Sequence, residues 1–265
     1  ATDNERYVGE IASTPGKVKF LLPPSNVNKK MLLLNQEATS VKTLTQLTPK
    51  TFVNFADENN QGNYLIISHP SLYNDGAGNN YVDQFRAYRS TSAGGSFNAK
   101  VYDINELTDQ FAFGIKKHPA AVRDFVRFAK DNFTVTPKFV FIIGRGMTYY
   151  YHRFFESDPL VNKLDLVTTF GNPASDASLV ALPGSTVPIF PVGRLAAING
   201  EEVNHYLVKV KQYEQAQQTS SPYIADKAWM KSILHVAGGK DADENNLFMQ
   251  YMNGYKAIAQ DSALG

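Results

Sequence analysis

The residues of this sequence best suited to acid–base work near neutral pH are five histidines: His69, His118, His152, His205 and His235. None forms an H-x-x-x-H or H-E-x-x-H pair, so spacing draws no zinc site. His69 stands near the carboxyl end of a predicted strand, and His235 inside another just before Gly-Gly. Either is a candidate general base, although a hydrogen-bonded structural histidine is the commoner case at such places. His118 precedes Pro119 and is expected to help begin a helix; His205 falls among polar helix neighbours and is expected to be solvated. Ser68 and His69 cannot act as nucleophile and base, because successive strand residues face opposite sides. There is no G-x-S-x-G elbow. There is also no cysteine, which excludes thiolate metal sites, disulfides and a cysteine nucleophile within these 265 residues.

Carboxylates gather in GGKDADENN (238–246), where Asp241, Asp243 and Glu244 open a predicted helix. The helix dipole favours acids there on structural grounds alone. Because the loop follows a buried strand, holding a cationic substrate group or a metal is the functional alternative. Asp176, in FGNPASDASL, stands in a long irregular section and is either a turn former or a loop ligand. Gly144-Arg145-Gly146 follows the apolar run Phe139–Ile143, a pattern that suits a strand buried on both faces. A phosphate cradle would need a further glycine and a helix start, and MTYYYHRF (147–154) does not read as one, so a plain strand-end turn is expected.

The elements that must position these groups alternate in type. NYLIISHP (63–70) reads as a strand, then a helix in which Val82, Phe85 and Tyr88 share a face, then a strand near AKVYDI (99–104). HPAAVRDFVRFAKDNF (118–133) reads as a helix with Pro119 at its first position and Val122, Phe125, Val126 and Ala129 on one face. KFVFIIG (138–144), the irregular section through 186, and the short strand PIFPVGR (188–194) follow. NGEEVNHYLVKVKQYEQ (199–215) is a helix with a capping-box pattern, Asn199 with Glu202, and a stripe of Val203, Tyr206, Leu207 and Val210. SILHVAGG (232–239) reads as a further strand and DADENNLFMQYMNGYKAI (241–258) as a further helix. Such alternation predicts an α/β fold with a parallel sheet and helices on both faces. Residues 1–58 differ: GKVKFLLPP (16–24), KKMLLLNQ (29–36) and SVKTLTQL (40–47) are short runs without helical period, expected to be a β-rich segment at the tail of a preceding β-domain.

Composition limits the partners. The chain is 43% hydrophobic, enough for a large core, and its 26 basic and 25 acidic residues leave a formal charge of +1. With no concentrated basic block, a nucleic-acid partner is not expected. No apolar stretch approaches the roughly 20 residues that cross a bilayer, and the opening ATDNERYVGE lacks the regions of a signal peptide, as expected of a mature chain or a fragment. Abundant Asn, Gln, Thr and Ser lean towards an extracellular or periplasmic setting.

Taken together, DQFAFGIKKHPAAVRDFVRFA (109–129), KFVFIIGRG (138–146), FGNPASDASL (170–179), VPIFPVGRLAAINGEEVNHYLVKVKQYE (187–214) and KAWMKSILHVAGG (227–239) resemble, in order and spacing, the gingipain-type cysteine peptidases. These include the sortase-like peptidases of the Bacteroidetes type IX (Por) secretion system. The resemblance spans residues 60–265 and makes residues 59–265 the amino-terminal part of a gingipain-like α/β peptidase domain. It implies a caspase-like fold, peptide or protein substrates, and a secreted or cell-surface, outer-membrane-associated setting. It further implies peptide hydrolysis or transpeptidation by a Cys-His pair, through an acyl-enzyme. In the family these residues come late, a His in an H-G-S-type turn and then a Cys after the next strand, so no catalytic residue is assigned here and the remaining half of the peptidase domain is an expected partner. The alternative is a non-catalytic surface or secretion-associated binding module on the same scaffold. A third candidate is a small-molecule α/β enzyme using His235 with Asp241 or Glu244. The family's loop at 238–246 helps line the pocket for the residue before the scissile bond, which implies substrate-binding roles for Asp241 and Glu244. Lys240 departs from the acidic pattern of the arginine-specific members. No cofactor is required; structural calcium, common in the family, makes Asp176 a candidate metal ligand.

Overall fold

The computed structural model describes residues 10–11, 15, 17–28, 30, 45–46 and 48–261. It divides into two compact units, Ala1–Thr51 and Phe52–Gly265. In the first, β1 (Glu10–Ile11) and β2 (Val18–Lys19) pair antiparallel within the stretches expected to be β-rich. The runs 29–36 and 40–47 fall almost wholly outside the described residues.

The second unit is built on four strands, β3 (Tyr64–Ser68), β4 (Ala99–Asp103), β5 (Phe139–Ile143) and β6 (Val192–Leu195), all parallel in the order β4-β3-β5-β6. Along the chain β3 leads to α1 (Tyr81–Arg89), β4 to α2 (Ile104–Phe111) and α3 (Ala120–Asn132), and β5 to the short α4 (Tyr149–Phe154) and α5 (Pro159–Leu164). β6 leads to α6 (Gly200–Thr219), and α7 (Ala242–Ala259) comes last. Every residue of β3 is buried, as a strand covered on both faces requires. Strand alternation then sorts the core into two layers. Leu65, Ile67, Val140 and Ile142 pack with α2 and α3, while Tyr64, Ile66, Phe141 and Ile143 pack with α1 and α6.

The helices dock by the faces their periodicity indicates. On α3, Val122, Phe125, Val126 and Ala129 are all buried, and the Phe125 ring meets those of Phe55, Tyr102, Phe111 and Phe133. Phe55, from the segment read as β-rich, belongs to this α/β core. Pro119 is the N-cap of α3 rather than its first residue. α6 begins at an Asn199 cap that accepts from the Glu202 N–H, and buries Val203 and Leu207. Its Glu214 accepts from Tyr88 and Arg89, which ties α1 to α6.

Three sequence expectations are corrected. Residues 147–186 are not wholly irregular: Thr148 accepts from the Tyr151 N–H and caps α4, so MTYYYHRF does start a helix. The strand expected at 188–194 is Val192–Leu195, since Pro191 has no N–H for the ladder. The run 232–239 joins no sheet, and Ile233, Leu234 and Val236 are exposed. A strand exists only against a partner edge, and none is paired with this run.

Candidate functional site

The connection from β3 leads to β4 on one side, and the connection from β5 leads to β6 on the other. The crevice beyond the carboxyl ends of β3 and β5 is therefore a topological switch point, where open α/β sheets place their sites.

The Gly144-Arg145-Gly146 turn follows directly from the carboxyl end of β5, and the amides of Gly144 and Arg145 are engaged within the chain. Gly144 N–H donates to Leu195 O (2.8 Å) and Arg145 N–H to Ala197 O (2.9 Å), while Arg145 O accepts from Leu166 and Val167. At Gly146 a Cβ would lie 2.3 Å from Val167 O, so this glycine is required for close chain approach. The turn is a strand-end joint, as expected, and not a phosphate cradle.

Arg194 on β6 secures this joint. Its Nη1 donates to Gly144 O (2.6 Å) and Val167 O (2.8 Å), and its Nε and Nη2 clamp the two oxygens of Asp176 at 2.7 Å each. Thr169 donates a further bond to Asp176. Burial alone would raise the Asp176 carboxyl, but the bonds and charge of Arg194 and the Thr169 hydroxyl outweigh it and hold it below its ordinary range. The carboxylate put forward for calcium is thus already neutralised by a guanidinium. Among the described residues no group of three or more His, Cys, Asp or Glu is placed to hold a metal ion.

Beside the joint, the fully buried Asp165 accepts from Met147 N–H and the Thr168 hydroxyl. His152 Nδ1 lies 3.1 Å from the same carboxylate without hydrogen-bond alignment. Sequence reading named His152 among the five histidines without giving it a role and passed over Asp165: a buried His-Asp contact spans two helix ends that look like surface.

A cavity of about 380 Å³ opens past the end of β3, with His69, Asn105, Thr108, Lys117, His118 and Thr168 on its wall. His69 caps a 3₁₀ turn (Pro70–Leu72) through Nδ1, and His118 accepts from Ala120 N–H at the start of α3, the structural roles weighed for these residues. Burial, and then the Lys117 charge, lower the His69 pKa. Burial lowers that of Lys117, against the opposing pull of Asp165. Lys117 donates to the Asp165 carbonyl oxygen and has a left-handed backbone at φ +60°. Its contribution could not be read from KKH, which resembles any solvated surface run.

Asp241 and Glu244 meet at the start of α7. Asp241 accepts from Glu244 N–H (2.9 Å), and Glu244 accepts in return from Lys240 N–H (2.8 Å), so the pair caps α7. Neither lines the cavity at β3. His235 lies off any strand, in a hollow shared with Lys231 and Lys256 and not with those two acids. His205 is exposed on α6, as expected.

A parallel sheet covered by helices on both faces, with its crevice at the switch point, is the α/β plan of the caspase–gingipain class. The model of peptidase family C25, the gingipain family of cysteine peptidases, matches residues 57–263, and the chain belongs to that family. The family's substrates are peptides or proteins. No curated protein and no solved structure matches the chain. Among the described residues no helix is long and apolar enough to cross a membrane.

Proposed function

We propose that this chain supplies the scaffold of a gingipain-like cysteine endopeptidase or sortase-like transpeptidase, with the Cys-His dyad provided from beyond residue 265. The observation that carries this reading is the family match over 57–263 in a sequence with no cysteine. In the complete enzyme the His takes the thiol proton and the thiolate attacks the scissile carbonyl. The resulting acyl-enzyme passes to water in hydrolysis or to an amine in transpeptidation. The Gly144–Gly146 joint, fixed by Arg194, serves as framework.

The test is a thiol-directed peptidyl ketone probe. It is expected to label a protein that extends past codon 265 through a His-Gly-Ser and then a Cys within about 100–150 residues, one further half-domain, and to leave the 265-residue chain unlabelled. Peptide cleavage by the 265-residue chain alone would refute the reading. The lack of any cysteine favours, as a second reading, a binding module on this scaffold. That reading prevails if the extended protein has no Cys to label.

A further inference from the structure

The two histidines on the cavity wall at the end of β3 are fixed in one tautomer by the backbone. Ser71 N–H donates to His69 Nδ1, and Ala120 N–H donates to His118 Nδ1, both at 3.1 Å. A backbone amide only donates, so each Nδ1 must present its lone pair and each neutral ring carries its proton on Nε2. The Ser71 hydroxyl, 2.8 Å from His69 Nδ1, donates there too. Each free ring end is therefore an N–H and not a lone pair. In that form Nε2 neither removes a proton from a substrate nor ligates a metal, which argues against His69 as general base. What both rings can do is donate to an acceptor.

Lys117 adds charge to these donors. One of its three N–H groups goes to the Asp165 carbonyl oxygen, which leaves two. Lys116 lines the same cavity, whose one acidic lining residue is Asp109. Thr108 and Thr168 give their hydroxyl protons to Ile104 O and Asp165 Oδ2, so they offer the cavity only lone pairs. The wall thus combines cationic and neutral donors with a few acceptors. That set matches a carboxylate with an amide N–H beside it. The volume, about 380 Å³, falls in the range of small-ligand pockets, roughly 300–1,000 Å³. Lys117, on the wall itself, has a left-handed backbone (φ +60°), a strain that collects at ligand clamps.

We propose that this cavity is a carboxylate site that receives the C-terminal end of a peptide, with Lys117 supplying the charge and His69 and His118 the directed N–H donors. The site needs no catalytic thiol, so it stands apart from the peptidase reading.

The experiment is nitrogen-resolved NMR of the histidine rings in the 265-residue chain, titrated with N-acetylglycine, N-acetylglycinamide and inorganic phosphate. Both rings should show Nε2–H before any addition. N-acetylglycine should shift His69 and His118 saturably, and the uncharged amide should bind about tenfold more weakly, the loss expected when a charged hydrogen bond goes. Phosphate should bind no tighter than the acid. Lys117→Met should weaken the acid by about tenfold. His118→Asn keeps an acceptor for the Ala120 N–H, and should weaken binding while leaving the melting temperature unchanged. An Nδ1–H ring, equal affinity for acid and amide, shifts that do not saturate, or tighter phosphate binding would each overturn the proposal.

Discussion

Replacing Arg194 by Met is the most informative perturbation of the switch-point joint. Met keeps the length of the stem and removes four hydrogen bonds, two to Asp176 and one each to the carbonyls of Gly144 and Val167. Arg194 and Asp176 expose only 12% and 22% of their side chains, so water cannot repair the loss fully. Breaking such a buried pair by removing one partner costs about 3–5 kcal/mol. At a urea dependence of about 2–3 kcal/mol per molar, this should lower the midpoint by roughly 1–2 M, read by far-UV circular dichroism.

The pH dependence tests the mechanism as well as the magnitude. In the native chain Asp176 is held below its ordinary carboxylate value, so its contribution is present above the unfolded pKa and lost as pH falls through the folded one. In the Arg194→Met variant burial acts without its counterweight, and the carboxyl should rise above its unfolded value. The variant's penalty is then greatest near pH 7 and shrinks as protonation neutralises Asp176, so the two urea midpoints should converge on acidification towards about pH 4. A gap of the same size at both pH values would refute the account. So would a cost below about 0.5 kcal/mol, the size of an ordinary surface substitution.

Other outcomes follow from the same contacts. Gly146→Ala places a methyl 2.3 Å from Val167 O and should cost about 1–3 kcal/mol or more in a urea melt, whereas Gly238→Ala, with nothing within 4 Å, should be near neutral. Phe125→Ala empties the aromatic cluster between β4, α2 and α3 and should cost about 3–5 kcal/mol by the same assay. Asp241→Ala removes the cap of α7 and should cost that helix about 0.5–2 kcal/mol. Hydrogen exchange should quicken at the Glu244 amide while the core amides of β3 keep their protection.

What the sequence made legible was set by the range of the interaction behind each feature. The β5 run showed burial on both faces because its apolar residues are contiguous, and Val140–Ile143 are buried; α3 and α6 showed their buried faces because 3.6-residue spacing is written locally. The family resemblance likewise drew on short motifs kept in order, and the family match bears it out. The site was much less legible. Asp176 and Arg194 are 18 residues apart, and Lys117 meets Asp165 across 48. No spacing rule pairs residues over such separations. Asp241 and Glu244 were noticed as acids opening a predicted helix, and there they make the cap bonds of α7.

The contrast between α7 and the run before it follows from where backbone hydrogen bonds can be made. A helix satisfies its N–H and C=O groups within itself, so the Asp241 cap and the helical sequence after it suffice for α7 even though no residue of it is buried. A strand borrows every bond from a neighbour. SILHVAGG has the β-branched, apolar character of a strand, yet pairing at a specific edge is a property of two segments and cannot be written in one. Its exposed Ile233, Leu234 and Val236 therefore mark a segment whose composition favours an extended ladder and whose backbone groups are not engaged in one.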